Sequence, residues 1–410
     1  MSEEEYDPFA AFDHSTGSGL IRDPYSPLAE LRAASPVLEG RIDEALGLPR
    51  APEGEGPESG LYFSALGYDA VAKVLLDGET FSSAGYAKSM GLVMGHSILE
   101  MDEPEHRRYR DLLQQAFTLK AMGRWERDVV RPIVEKRVDA ILAKGRGELV
   151  HDLTFPFPLE VIAAMLGLPE EDLPAFHRMA VELISIAVDI ERGLKASQDL
   201  RDYFARILAA RRAEPRDDMI SMLAQAELDG VRLEDEDIFA FLRLLLPAGA
   251  ETTYRSSSNL LFGLLTDPEQ LELLREDRSL MRRAIEEGLR WEAPLTGIAR
   301  TTTCDVVLEG VEIPKGSSIM VSVGSANHDP QRWSDPERFD IRREVRPHIA
   351  FATGAHTCLG LHLARMETSV VINELLDRLP GLRMDPEAKD PHITGLTFRA
   401  PRELPVLFDV

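Results

Sequence analysis

The sequence predicts a mainly α-helical (α+β) protein with a small β region, folded as one unit over residues 1–410. Three observations predict it. An apolar period of about 3.6 residues dominates from 103 to about 266 and returns at 359–379. Runs with strand character are short and confined, at 61–66, 306–308 and 318–322, with turn formers between them. No internal repeat and no clear linker divides the chain.

Taken in order, residues 1–24 are rich in acids and turn formers and read as an irregular arm. Residues 47–60 are a Pro/Gly/Glu loop, 61–66 a short strand and 68–76 a short helix. Residues 81–98 mix glycines with apolar side chains without a period and read as a mobile loop that lines a ligand entrance. Pro156 and Pro158 open one helix, and 168–171 begins the next. The longest helical candidate spans 235–266 and would run about 48 Å. Pro247 interrupts it, removing one backbone donor and freeing the carbonyl four residues earlier, so a kink or local opening is expected.

A composition of 44% hydrophobic and 28% charged residues excludes a disordered or fibrous chain. The formal net charge is −24, which argues against nucleic acid or an anionic membrane as partner. Cys304 and Cys358 are the only cysteines, which excludes a disulfide framework and a four-cysteine metal site. Cys304 reads as a strand residue without chemistry. The acidic N-terminal stretch has no apolar core of a signal peptide, and no apolar run reaches membrane-spanning length. A cytoplasmic protein is expected. No phosphate-binding loop, zinc-protease motif or nucleophile elbow occurs.

The strongest local signal is Phe351-Ala352-Thr353-Gly354-Ala355-His356-Thr357-Cys358-Leu359-Gly360, followed by a helical run. A lone cysteine is most often a small buried hydrophobe. Here glycines let the backbone close around a large flat ligand and aim amides at the sulfur, and a helix N-terminus favours the thiolate. A thiolate so held can ligate iron. The second signal is Ala248-Gly249-Ala250-Glu251-Thr252-Thr253 in the long helix. Alone it reads as a small-residue helix crossing with a threonine bonded back to a carbonyl.

The cysteine segment resembles the heme-binding loop of the cytochromes P-450, F-G-x-G-x-H-x-C-x-G, departing at Ala352 where the first glycine is common. The resemblance runs from about Tyr25 to the C-terminus in the expected order. It implies the triangular fold of that family around heme b, with Cys358 as the iron ligand and Phe351, His356 and Gly360 shaping its loop. It makes Glu251 and Thr252 the catalytic acid–alcohol pair: splitting dioxygen requires two protons, which a hydroxyl can donate and a carboxylate can reload through water. Ala248 and Gly249 line the groove, with Gly249 leaving room for dioxygen; Thr253 is read as packing. His106, Arg110, Arg300 and His356 become the clamp on the two heme propionates. Glu287 and Arg290, otherwise an ordinary helix-face ion pair, become a buried structural pair with Arg338 as third member.

The implied activity is a monooxygenase that hydroxylates or dealkylates a small to medium hydrophobic molecule. Its two electrons come from a separate ferredoxin or flavodoxin with its NAD(P)H reductase, because the chain carries no flavin domain and no iron–sulfur cysteine set. Residues 104–147 hold 11 Lys or Arg against 6 Asp or Glu, and Arg107, Arg108, Lys120 and Arg124 are candidates for contact with an acidic ferredoxin. Substrate-pocket segments are 86–98, 179–190, 244–248, 295–299 and 394–398. Lys88 could pair a substrate carboxylate, but an exposed lysine is the default reading. Two other functions fit the same resemblance: a peroxide-driven peroxygenase, against which Glu251-Thr252 counts, and a non-catalytic heme-thiolate sensor.

Overall fold

The computed structural model describes residues 21–48, 57–184 and 189–409. Most of the expected arm, residues 49–56 of the expected loop and 185–188 of one pocket segment lie outside the described residues. Helices carry most of the chain. Those that frame the site are α1 (Tyr25–Ala34), α2 (Tyr68–Leu76), α3 (Glu105–Gln114), α4 (Pro156–Met165), α5 (Ile190–Ala213), α6 (Asp235–Leu246), α7 (Thr252–Thr266), α8 (Met281–Trp291) and α9 (Leu361–Arg378). A five-stranded sheet has the order β1 (Val37–Glu39), β2 (Tyr62–Ala65), β5 (Ser318–Ser322), β4 (Gly297–Thr302), β3 (Phe81–Ser82). Only the β2–β5 pair is parallel; Ile319 stands opposite Arg300 in the β4–β5 register.

Local chemistry sets the boundaries. Pro156 occupies the first turn of α4, where its missing N–H costs nothing. Glu234 and Asp237 form a reciprocal capping box at the start of α6. The opening expected at Pro247 takes a definite form: residues Pro247–Glu251 make a π-turn between α6 and α7. The wider turn is the helix's answer to a residue that cannot donate to the carbonyl four positions back.

Two apolar cores form. One unites the helices around Val134, Leu153, Phe157, Leu242 and Leu375. The other lies beneath the sheet around Phe63, Phe81, Ile319 and Val321. Both reach Ala350, the residue before the cysteine segment, so that segment is anchored from two sides.

Residues 81–98 differ from the expected irregular loop. They contain β3, a 3-10 turn at Ala84–Lys88 and a short helix at Met90–Met94. Tertiary bonds order them: the Tyr86 hydroxyl accepts the Ala299 amide at 2.9 Å, and the Ser197 hydroxyl donates to the Val93 carbonyl. Cys304 lies in an exposed bend after β4 rather than in a strand. Among the described residues no helix is long and apolar enough to cross a membrane.

Candidate active site

The cysteine segment is a tight turn leading into α9. The Cys358 amide donates to the Phe351 carbonyl at 2.9 Å, and the Thr357 amide and hydroxyl both reach the Gly354 carbonyl, at 3.1 and 2.8 Å. Gly354 is obligatory here. Its φ is +79°, and a Cβ would sit 2.6 Å from the Leu75 carbonyl oxygen. Ala352 also adopts a left-handed φ, +57°, which explains why glycine is common at that position. Burial pushes the Cys358 thiol up; the Gly360 amide and the charges of Arg110 and Arg365 pull it back toward thiolate. A Cβ at Gly360 would meet nothing within 4 Å, so that side of the turn is open.

Four basic side chains from three elements converge beside the sulfur. The rings of His106 (α3) and His356 lie 4.0 Å apart, and Arg110 Nη2 donates to the Thr357 carbonyl at 2.5 Å. Arg300 (β4) is buried, and its Nη1 donates to the Ala299 carbonyl at 2.8 Å. His356 is pushed down to about 3 by burial and by the charges of His106, Arg300 and Arg110, so the four share one field. Burial likewise lowers His106, Arg110 and Arg300.

Among the described residues neither arginine has a carboxylate within ion-pair distance, and His106 Nε2 is buried without a partner. Arginine charge drawn out of water and a ring nitrogen without a partner are what a ligand with two carboxylates would satisfy, His106 donating from Nε2 in the tautomer or charge state that carries a proton there. The residues present therefore fit heme, with Cys358 for the iron and this cluster for the propionates. His356 Nε2 is also 3.1 Å from the Ser83 hydroxyl, a partner the sequence did not suggest.

The acid–alcohol pair lies on the π-turn junction. Thr252 keeps part of its surface open and its hydroxyl donates to the Ala248 carbonyl at 2.7 Å. Glu251 is buried and its carboxylate is held by Arg255, Nη2 to Oε1 at 2.9 Å. Arg255 also stacks on Tyr254 and Phe398. Ala248 is exposed along the same side as Thr252. Gly249 does not serve the expected role of leaving open room: a Cβ there would meet Ile162 of α4 at 3.1 Å, so this glycine permits close helix packing. Thr253 is buried and bonds the Glu367 carboxyl, which burial raises to about 8.

Beneath the turn, the expected third member of the structural cluster is corrected. Glu287 accepts from Arg290 at 2.8 and 2.9 Å and from Arg343 Nε at 3.0 Å. Arg338 contributes its backbone carbonyl, to Arg290 and Arg343, while its side chain is exposed. The turn between 338 and 343 points the later arginine inward, a geometry that spacing alone does not reveal. Sequence reasoning also missed Arg365, which covers the Phe351 ring at 4.6 Å and grips Glu286 at 2.6 and 2.8 Å. Burial alone would raise Glu286, but hydrogen bonds from His348 and Arg365 hold it at about 2. The position of Arg365, seven residues after the cysteine on the following helix, was the available signal.

Three of the expected pocket segments, 86–98, 295–299 and 394–398, contact one another. Leu295 pairs with Phe398, and the Thr296 amide donates to the Thr397 carbonyl at 2.8 Å. Tyr86 joins this group through Ala299, and Val93 faces α6 through Arg243. Lys88 is exposed, as the default reading had it.

A turn that presents one cysteine beside buried basic side chains, together with a helix opened by a π-turn, fits a flat dicarboxylate cofactor. Comparison with known proteins agrees. The family model for cytochrome P450 matches residues 171–401. The chain is 35% identical to the cytochrome P450 monooxygenase PikC of Streptomyces venezuelae over 378 residues, covering 90% of this chain and 87% of that protein. It is 34% identical to the biotin biosynthesis cytochrome P450 of Bacillus subtilis over 410 residues, covering 96% and 98%. The crystal structure of CYP109E1 from Bacillus megaterium in complex with testosterone superposes with a TM-score of 0.83 at 32% identity, covering 95% of this chain and all of that one. The chain belongs to the cytochrome P450 family, whose members are oxidoreductases of the monooxygenase type.

Proposed function

We propose that the chain, acting as one unit in the cytoplasm, hydroxylates or dealkylates a small to medium hydrophobic molecule, with heme b held by Cys358. The observation that carries this reading is the convergence of His106, Arg110, Arg300 and His356 beside Cys358, a set that needs a dianion. Bound heme would supply reductive activation of dioxygen, with the thiolate donating electron density.

The chain's own residues supply the rest. The Gly360 amide and Arg365 support the sulfur. The Thr252 hydroxyl, open on one side, hands over a proton and keeps its place through the Ala248 carbonyl. Glu251 reloads it after leaving Arg255, so the ion pair meters the supply. The apolar segments 244–248, 295–299 and 394–398 exclude water and favour a hydrophobic guest, in keeping with the testosterone bound by the CYP109E1 relative.

Electrons come from a separate ferredoxin or flavodoxin and its NAD(P)H reductase. Arg107, Arg108 and Lys120 are exposed for such a partner, whereas Arg124 is half-buried and bonded to Asp217. Leu76 is 63% exposed next to the backbone against which Gly354 rests, and offers an apolar contact beside the cysteine turn. Such docking makes reduction salt-sensitive.

Replacing Thr252 with Ala tests the assignment. The variant is expected to consume NAD(P)H while releasing more peroxide and less product; unchanged coupling overturns the role of the hydroxyl. Cys358→Ser is expected to abolish the red-shifted absorption of the reduced carbon monoxide complex.

A further inference from the structure

The five-stranded sheet has a second face. Its register sets Ser64 beside Met320 and Ser322 beside Gly297. Along the strands these residues alternate with Phe63, Ile319 and Val321, which belong to the core beneath the sheet. They therefore stand on the outer face, turned away from the side that Ile319 shares with Arg300. Over that outer face lies a cavity of about 240 Å³, with Tyr25 and Leu28 of α1 in its lining.

Small side chains at 64, 297, 318 and 322 give the cavity its depth. The helix side is fixed in place. The Tyr25 hydroxyl donates to Glu292 Oε2 at 2.8 Å, and its ring stacks on His328 at 3.8 Å, so the tyrosine does not swing in to fill the space. Protein interiors keep few voids larger than a water molecule. A dry cavity of about 150 Å³ takes a benzene ring, so this one has room for two fused rings. The one ion pair in its lining is closed on itself: Arg41 Nε and Nη2 donate to the Asp43 carboxylate at 2.9 and 2.6 Å, and a guest meets no uncompensated charge there. Ser64 and Thr296 give their hydroxyl protons to the Gly40 and Leu396 carbonyls, which leaves their oxygens as acceptors.

One wall of the cavity is shared. Thr296, Leu396 and Thr397 line it, and they belong to 295–299 and 394–398, two of the segments assigned to the substrate pocket. The Thr296 amide donates to the Thr397 carbonyl at 2.8 Å, and Arg399 Nη1 holds the Gly395 carbonyl at 2.5 Å, so the two segments move as one. We propose that this cavity is an effector site for a neutral, mainly apolar molecule of two fused rings that carries one N–H or O–H donor. Its occupant braces the shared wall from the outer side, and a wall already ordered by one ligand costs the second less to order. The substrate pocket therefore binds more tightly when the cavity is filled. The site itself does not depend on heme; its coupling to the pocket rests on the monooxygenase reading. The alternative is an antechamber on the way to the substrate pocket, which predicts competition between the two ligands.

The test is calorimetric titration of the heme-loaded protein with indole, with and without saturating 4-phenylimidazole, which occupies the iron side of the pocket. Indole is expected to bind one-to-one while the azole is in place. Each ligand is expected to tighten the other by the same factor, about fivefold or more. Met320→Trp, which sets a ring of the protein's own in the cavity from a partly exposed position, is expected to weaken indole about tenfold or more and to abolish the coupling. Leu48→Trp fills the cavity from a different segment and is expected to do the same, so the test does not hang on one variant. No indole bound beside the azole, weaker azole binding in its presence, no coupling, or indole affinity unchanged in both variants overturns the proposal. The reduced carbon monoxide spectrum of the same samples separates the two readings. A thiolate spectrum with no second site removes only this proposal, and a missing thiolate spectrum removes the monooxygenase reading.

Discussion

Arg255 reaches back one helical turn to hold Glu251, its Nη2 2.9 Å from Oε1, and both side chains are almost wholly buried. The acid of the acid–alcohol pair is thereby stored as an ion pair while the alcohol, Thr252, stays open. A buried carboxylate stripped of its cation takes up a proton and stops cycling. Arg255→Met is therefore expected to slow product formation by about tenfold or more, the scale of one general acid–base contribution. The acidic limb of its pH–rate profile is expected to move to higher pH. A profile that superposes on the native one removes Arg255 from proton delivery.

Ala352 occupies a left-handed conformation in the cysteine turn, at φ +57°. A side chain there costs about 1–2 kcal/mol, and glycine's extra freedom in the unfolded chain returns about 0.5–1 of it. Ala352→Gly is expected to stabilise the protein by about 0.5–1 kcal/mol on these figures, read from a shift of the denaturant midpoint. A lower midpoint contradicts the strain.

Arg343 and Arg338 separate cleanly by position. Arg343 bonds a buried carboxylate, and Arg338 offers only its backbone. Arg343→Ala is expected to cost about 2 kcal/mol or more, because it leaves Glu287 under-compensated, and Arg338→Ala no more than about 0.5 kcal/mol. Equilibrium denaturation of the two variants decides it; equal losses refute the assignment.

Glu367 gives stability a pH dependence of definite sign. Its folded-state pKa is raised to about 8 by burial, against the Thr253 hydrogen bond. The folded protein therefore holds this proton over a range in which the unfolded chain has released it. The contribution is fully present below the usual carboxylate range and is lost as pH rises toward and through 8. The slope is at most about 1.4 kcal/mol per pH unit from this one group. Glu367→Gln is expected to flatten the fall in stability between pH 5 and pH 8, measured by denaturation across that range. An unchanged slope excludes Glu367 as its source.

Much of this molecule was legible in residue order alone. Helical and strand periods located α2, β5 and the interrupted helix, because each depends on neighbours three, four or two positions apart. Pro247 marked its own break, since a missing N–H acts locally, and the cysteine turn was readable because its glycines and its sulfur lie within ten residues. Contacts between distant segments were not. Which arginine completes the Glu287 cluster, that Gly249 faces Ile162, and that Arg255 rather than solvent holds Glu251 are settled by packing. So is the burial of Arg243 against Gly95, Ser197 and Val93. A side chain's partner is the group that burial leaves within reach, and burial is a property of the assembled chain; local order specifies the elements and their breaks, while tertiary packing decides which charges must find each other away from water.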